Sequence, residues 1–91
     1  MNIFKSKNKN KFVIEKDEII GELIFSYIDR DNISLDSIWI SQEFRGRNLG
    51  ILIFKEFIKF VRENNLTVTP ICSYAKKMFN KNLNQYKDIL K

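Results

Sequence analysis

The chain has 91 residues, a net charge of +5 and a pI of about 9.4, with 44% hydrophobic and 30% charged residues. These values predict a single domain over residues 1–91 with one modest core, because a chain this short buries only about 60–65% of its unfolded surface. One cysteine and no histidine exclude an internal disulfide, a Ser-His-Asp or Cys-His catalytic pair and a histidine-based metal site.

The positive charge favours an anionic partner, either a phosphate-rich cofactor or a nucleic acid. No stretch reaches the roughly 18 apolar residues that a membrane-spanning helix needs, and the first residues show no signal-peptide pattern. A lone cysteine is typical of a reducing compartment. We therefore expect a cytoplasmic protein without a membrane partner.

The first part of the chain predicts antiparallel strands joined by polar turns. Lysines alternate with small polar residues over 5–11, which is typical of a solvated arm or an edge strand; a nucleic-acid-binding arm is the alternative. Strands are predicted at 11–15, 19–28 and 33–40, separated by turn residues. Gly21 is a candidate for a bulge in the second of these strands.

The rest of the chain predicts a helix, a strand and then further helix. The main helix is predicted from 46 to about 64, with a broad apolar surface. The asparagines at 64–65 suit its left-handed end. A short strand follows at 66–69, and a right-handed crossover would place it parallel to the strand before the helix.

The last elements complete a predicted α/β (α+β) fold with a mixed, mainly antiparallel sheet. Ser73 is the predicted cap of a second helix that ends near residue 80. A final helical turn is predicted over 85–90. Nothing in the sequence indicates a repeat, a linker or a second domain.

The loop that precedes the main helix is the most informative segment of the sequence. Residues 45–50 read Arg-Gly-Arg-Asn-Leu-Gly, and a glycine-bearing loop that opens a helix presents free N–H groups at the positive end of the helix dipole. Such a loop can bind phosphate, with charge added by Arg45 and Arg47. Ordinary turn chemistry is the alternative. The pattern is neither a P-loop nor a dinucleotide fingerprint, since the Gly-Lys-Ser/Thr ending and the three spaced glycines are absent.

Residues 43–50 resemble motif A of the GNAT superfamily of N-acetyltransferases, Arg/Gln-x-x-Gly-x-Gly/Ala, whose amides bind the pyrophosphate of acetyl-CoA. Arg45 and Gly50 match the motif, and Asn48 stands at the middle glycine. Asparagine is the best substitute for glycine in the left-handed region. The resemblance implies a GNAT-type fold with a central helix after the phosphate-binding loop.

Segments 62–66, 70–74 and 86–90 are similar to the very small GNAT branch that carries a Cys-Ser-Tyr/Phe segment. Members of that branch bind CoA and acetyl-CoA, lack an obvious acceptor pocket and hold a cysteine near the acetyl group. An acetyl-cysteine intermediate has been proposed for them. The branch usually has a His-Thr pair where this chain has Ser37 and Ile38.

The resemblance implies a cofactor site in which two strands splay to admit the pantetheine arm. The backbone of Ile38, Trp39 and Ile40 would line that arm, although Trp39 could also simply fill the core. The pyrophosphate cradle would comprise Arg45, Gly46, Arg47, Asn48, Leu49 and Gly50.

Cys72 and Tyr74 are the candidate catalytic residues. Cys72 precedes a predicted helix N-terminus, which favours a nucleophilic thiolate, whereas a small buried hydrophobe is the simpler interpretation. Tyr74 is either a general acid, as tyrosines are in larger GNATs, or a core residue. Asp36 and Glu43 are the acids near the loop that could accept the amine proton.

The expected function is transfer of an acetyl group from acetyl-CoA to an unidentified amine, without a metal. The acceptor could be a macromolecule, and the transfer could be direct or pass through an acetyl-cysteine. One alternative is a CoA- or acetyl-CoA-binding module without turnover, which Ser37 in place of histidine favours. The other is a small basic nucleic-acid-binding protein, although the sequence lacks a ribonucleoprotein aromatic motif and a helix-turn-helix pattern.

Overall fold

The structure is a computed structural model that describes residues 1–91. Five strands form one sheet in the order β1-β2-β3-β4-β5, and three helices follow the antiparallel part of the sheet. This arrangement confirms the predicted α/β fold with a mainly antiparallel sheet. In chain order the elements are β1 Asn2–Lys5, β2 Lys11–Lys16, β3 Glu18–Tyr27, β4 Asn32–Ile40, a 3₁₀ turn Gln42–Phe44, α1 Leu49–Glu63, β5 Thr67–Pro70, α2 Ser73–Lys81 and α3 Leu83–Tyr86.

Strands β1 to β4 form an antiparallel meander, as predicted, with one strand more than the three expected. The additional strand is β1, which lies at the edge of the sheet; the lysine-rich segment 5–11 runs from the last residue of β1 through the turn to the first residue of β2. The tight turn between β2 and β3 is made by Asp17, whose φ of 64° lies in the left-handed region.

The bulge expected at Gly21 lies one residue earlier. Gly21 pairs with Ile14 and Ile19 pairs with Glu15, which leaves Ile20 as the extra residue of β3. Gly21 packs closely instead: a Cβ atom there would lie 2.9 Å from Cδ1 of Ile40 and 3.0 Å from Cδ1 of Ile14, so that these side chains would have to move.

A second bulge, which the sequence did not predict, lies in β4. Ile24 pairs with Ser37 and Phe25 pairs with Leu35, so that Asp36 is the unpaired extra residue. The bulge bends β4 just before its last residues.

Strand β5 pairs parallel with the first half of β4, which confirms the predicted crossover. The pairs run from Asn32 and Thr67 to Leu35 and Pro70, and the Ile71 N–H donates to the Leu35 carbonyl at 3.0 Å. Beyond Leu35 the second half of β4 pairs only with β3, and its other edge has no strand beside it. We call the point beyond Leu35 and Pro70, where the pairing of the two strands ends, the splay. The resemblance implied a slot for the pantetheine arm at such a point.

The main helix begins at Leu49 rather than at 46. Gly46 and Asn48 have φ values of 78° and 62°, and a right-handed helix cannot pass through left-handed residues. At the other end Asn65, with φ 54°, adopts the predicted left-handed conformation.

The C-terminal elements differ from the prediction in two details. Cys72, not Ser73, caps α2, because its Sγ accepts the Ala75 N–H at 3.3 Å. The last helix is Leu83–Tyr86 rather than 85–90. Residues 89–91 run beside β5 instead, where the Val68 N–H donates to the Ile89 carbonyl at 2.7 Å.

One core of 19 buried residues joins all three helices to one face of the sheet. Its aromatic rings meet edge to face, as Phe54 and Phe79 do with centroids 5.0 Å apart. We call the other side of the sheet the open face; it carries Val13, Ile24, Ser26, Ser34 and Asp36 among others, and no helix packs on it. No helix is long and apolar enough to cross a membrane.

Candidate functional site

A cleft of about 440 Å³ opens beside the free half of β4. It is bounded by the end of β4, the loop after the 3₁₀ turn, the first turn of α1 and the first turn of α2. The lining residues are Ile38, Trp39, Ile40, Phe44, Arg45, Gly46, Asn48, Leu49, Gly50, Ile51 and Tyr74.

Free backbone N–H groups form one wall of this cleft. None of the backbone N–H groups from 46 to 51 donates a hydrogen bond within the chain. Helix α1 starts at Leu49, and the first N–H group of the helix that donates a bond is that of Leu52, to the Asn48 carbonyl. The left-handed conformations of Gly46 and Asn48 turn the chain into the helix at this point. Several donors at the positive end of a 15-residue helix make a binding site for an anion such as a pyrophosphate.

The two arginines of the loop are placed differently. Arg45 lines the cleft, and its Nε donates to the Ile40 carbonyl at 2.9 Å, which ties the loop to the end of β4. The Arg47 guanidinium lies over the ring of Phe44, 5.1 Å from its centroid, and Arg47 does not line the cleft. Of the nine predicted cofactor-binding residues, Arg47 is thus the one outside the lining.

Gly50 and Tyr74 meet across the cleft. A Cβ atom at position 50 would lie 2.2 Å from the Tyr74 hydroxyl oxygen, so that any other residue there would require the tyrosine side chain to move. The contact brings the start of α2 against the start of α1. Tyr74 is partly exposed, with 42% of its surface accessible, and so is not the core residue that the simpler interpretation predicted.

Cys72 lies at the splay but is not part of the cleft lining. It is half-buried, packs against the core and caps α2 through its sulfur. Its N–H and that of Ile71 both approach the Leu35 carbonyl, at 3.5 and 3.0 Å. The thiol is therefore on the helix side of the last β4–β5 pair.

Asp36 lies on the opposite side of the same pair. It directly follows Leu35, and its carboxylate accepts hydrogen bonds from the hydroxyls of Ser26, at 2.5 Å, and Ser34, at 2.7 Å. These serines pair with each other on the open face. The other acid considered from the sequence, Glu43, is exposed in the 3₁₀ turn and makes no hydrogen bond or ion pair through its side chain.

Sequence reasoning missed two residues that line the cleft, Phe44 and Ile51. Both directly flank the predicted cradle, so a rule that extends the motif by one apolar neighbour on each side would have found them. No group of three or more histidine, cysteine, aspartate or glutamate side chains could hold a metal ion.

The profile of a protein family described as GCN5-related N-acetyl-transferase matches residues 11–89. The match spans all four elements that bound the cleft. None of the curated proteins compared with the chain matches it.

Several solved structures share the fold. A GCN5-like protein from Staphylococcus aureus is 29% identical, with a TM-score of 0.77 over 99% of this chain and 87% of that one. The ribosomal-protein-S18-alanine N-acetyltransferase of Escherichia coli is 12% identical, with a TM-score of 0.66 over 87% of this chain and 54% of the enzyme. A GNAT family acetyltransferase from Elizabethkingia anophelis with acetyl-CoA bound is 14% identical, with a TM-score of 0.63 over 80% and 51%. The chain thus spans about half the length of the two larger proteins.

Proposed function

The chain belongs to the GCN5-related N-acetyltransferase family, and we propose that residues 1–91 act as a single domain that transfers the acetyl group of acetyl-CoA to an amine. The observation that carries the proposal is the cleft beside β4, one wall of which is built from free N–H groups. Those donors suit a pyrophosphate, and a structural neighbour contains acetyl-CoA.

The proposed donor site starts at the 46–51 loop. Its N–H groups would bind the pyrophosphate, and the part of the Arg45 guanidinium that is not bonded to Ile40 would add positive charge. Arg47 would act at longer range, because its side chain lies on Phe44.

The free half of β4 offers a second set of contacts. On the edge that faces away from β3, backbone groups of this half are not paired with a strand and can pair with an extended ligand as they would with another strand. The residues from Ile38 to Ile40 would bind the amides of the pantetheine arm in this way. The thioester would then lie near the splay, between Cys72 and the end of the β4–β5 ladder.

The chemistry requires positioning more than reactive side chains. In the direct route the amine lone pair forms the new C–N bond, the C–S bond breaks and CoA leaves as a thiolate that takes up a proton. Tyr74 lines the cleft and could supply that proton, which would make it the general acid. In the covalent route the Cys72 thiolate first takes the acetyl group, and the amine then displaces it.

The test is an amide-resolved NMR titration with acetyl-CoA, with the intact mass of the protein measured on the same sample. We expect shifts from Arg45 to Ile51 and at Ile38 to Ile40. A gain of one acetyl group in the mass, abolished in Cys72→Ala, would support the covalent route. Acetyl transfer to an amine without an acetylated form of the protein would support the direct route. Shifts without transfer to any amine would support the module without turnover. No shifts at millimolar acetyl-CoA would refute the donor site.

A further inference from the structure

A groove with positive charge runs between α1 and the two helices that follow β5. It consists of two adjoining depressions of about 340 and 270 Å³, which share Lys55, Gln85 and Tyr86 in their walls. We call it the basic groove, and we propose that it binds an acidic amphipathic helix of a partner protein. This adds a partner to the molecule and does not depend on the proposed acetyl transfer.

The length of the basic groove suits a helical segment. Ile51 lines one end and Arg62 lines the other, and the two residues are 11 positions apart in α1. That separation is about 17 Å, or three helical turns. The opposite wall contains Lys81 from the end of α2 and Gln85 from α3. A groove of this length between helices is a site in which another helix can lie.

The charge of the basic groove favours an acidic occupant. Lys55 and Lys59 project from α1, and Lys81 belongs to the opposite wall. All three lysines are exposed, and none makes an ion pair within the chain. Glu63 is the one acid in the lining, at the Arg62 end. Three free ammonium groups on two walls therefore await carboxylates from a partner.

The basic groove also contains apolar side chains. Ile58 and Tyr86 are buried, each with 6% of its surface exposed, while Met78 is half-buried and Ile51 is 36% exposed. An amphipathic helix carries an apolar stripe flanked by polar residues. Its stripe would pack on Ile51 and Met78, and acidic residues on either side of the stripe would reach the lysines.

A nucleic acid fits this surface less well. Arg62, the one arginine in the lining, is bonded to the Asp88 carboxylate at 3.1 Å and to the Gln85 carbonyl at 2.8 Å, so its guanidinium is engaged within the chain. Tyr74 is the only aromatic residue of the three helices that is exposed, and it lines the cleft instead. Unpaired bases would therefore find no ring on which to stack.

A second copy of the chain has no helix that could occupy the groove. Helix α1 contains two acids, Glu56 and Glu63, but its apolar face is buried in the core. Helices α2 and α3 contain no acid. The eight acids of residues 1–43 lie in strands and turns. The acidic helix must therefore come from a different protein.

The experiment compares three anionic probes on the full chain. One is a synthetic peptide of about 18 residues, long enough to form a helix, in which leucine recurs every third or fourth position among glutamates. Another has the same composition in an order without an apolar stripe, and the last is a thymidine oligonucleotide of equal charge. We expect the striped peptide to shift the amides of Lys55, Lys59 and Lys81 by NMR, and to bind at least about tenfold more tightly than either control probe.

Two double variants test whether the position of the charge matters. Lys55→Glu combined with Lys81→Glu should weaken binding of the striped peptide by about tenfold or more, because two attractive contacts become repulsive. Lys7→Glu combined with Lys9→Glu is the matched control, which makes the same change of charge in the exposed turn between β1 and β2. It should weaken binding by about twofold at most, since salt screens charges at that range.

Several outcomes would overturn the proposal. Equal binding of the two peptides, or equal losses in the two double variants, would show that charge alone is recognised. Tighter binding of the oligonucleotide would assign the groove to nucleic acid, and displacement of the peptide by CoA would assign it to the acetyl donor. A dimer detected by light scattering and dissolved by the peptide would assign it to a second copy. No binding at millimolar peptide would also refute the site, whereas absent CoA shifts at 45–51 would refute only the donor site.

Discussion

The two halves of the chain have opposite charges. Residues 1–43, which form β1 to β4, contain eight acidic and six basic residues, so their net charge is −2. Residues 44–91, which form the loop before α1, the helices and β5, contain three acidic and ten basic residues, so their net charge is +7. The overall charge of +5 therefore describes neither half.

This difference explains why the basic pI was a poor guide to the partner. The excess positive charge lies in the half that holds the free N–H groups of α1, where a polyanionic acetyl donor would bind. A nucleic acid is not needed to account for the charge.

The two faces of the sheet also differ, because helices cover only one of them. One is closed by three helices and a continuous apolar core, and the other carries polar and apolar side chains without a covering element. Stability should therefore depend on the closed face, whereas the open face should tolerate substitution except where it contributes to a site.

Neighbouring residues of β3 test this comparison with the largest effect. Phe25 points into the core with 1% of its surface exposed, and Ile24 points to the open face with 40% exposed. We expect Phe25→Ala to lower the free energy of unfolding by about 3–5 kcal/mol, because it leaves a cavity among packed rings. Ile24→Ala should change it by about 0.5 kcal/mol or less. Urea denaturation followed by circular dichroism measures both, and equal losses would mean that the open face is covered in solution.

Two arginines test the charge difference. Arg45→Ala should weaken acetyl-CoA binding about tenfold, since a charged hydrogen-bond donor beside the pyrophosphate site is lost. Arg30→Ala removes the same charge from the turn between β3 and β4 and should leave the affinity unchanged. Calorimetric titration at low and high salt gives the comparison, with the difference between the variants shrinking as salt rises. An equal effect of both variants would show that the net charge, and not the loop, determines affinity.

Much of the fold could be predicted because local signals and long-range packing agree in it. The alternation of Leu23 and Phe25 and the left-handed end at Asn65 are consequences of nearby residues alone. The sequence did not distinguish an edge strand from a solvated arm at the start of the chain, because the pairing of β1 depends on its partner strand β2. The start of α1 was misplaced by three residues because Gly46 and Asn48 adopt positive φ, which a right-handed helix cannot include.

The loop that lines the cleft could be recognised in the sequence, whereas the surroundings of Asp36 could not. Residues 45–50 are contiguous, so one motif describes them. Asp36 gains its place from a bulge, from the end of the β4–β5 ladder and from two serines, one of which is on another strand. No spacing along the chain encodes that combination, so the sequence alone did not show that Asp36 is held by two serines while Glu43 is exposed in the 3₁₀ turn.

Cys72 offers a test that separates a structural from a chemical role. Its sulfur caps α2, and serine is an effective cap as well, so Cys72→Ser should keep the stability of the parent. Cys72→Ala should be less stable than Cys72→Ser by about 0.5–2 kcal/mol. If the thiol is the nucleophile, both variants should lose the acetylated mass, including the stable serine variant. Full turnover by Cys72→Ser would leave Cys72 only its capping role.

The smallest expected effects come from one exposed carboxylate in each half. Hydrogen bonds from the Asn32 side chain and the Asp31 backbone lower the pKa of Asp29, and the hydrogen bond and charge of Arg62 lower the pKa of Asp88. Because each folded pKa lies below its ordinary value of 3.8, each carboxylate stabilises the fold above that value, and the stabilisation is lost as the pH falls through the folded pKa.

We therefore expect Asp29→Asn and Asp88→Asn to be slightly less stable than the parent at pH 6 and equal to it near pH 2, as measured by urea denaturation. Added salt should distinguish the two. The loss in Asp88→Asn should shrink in 1 M NaCl, since a charged partner is screened there, whereas the loss in Asp29→Asn should persist because its main donors are neutral. The same salt response in both variants would contradict a mainly neutral partner, Asn32, for Asp29 and a charged partner, Arg62, for Asp88.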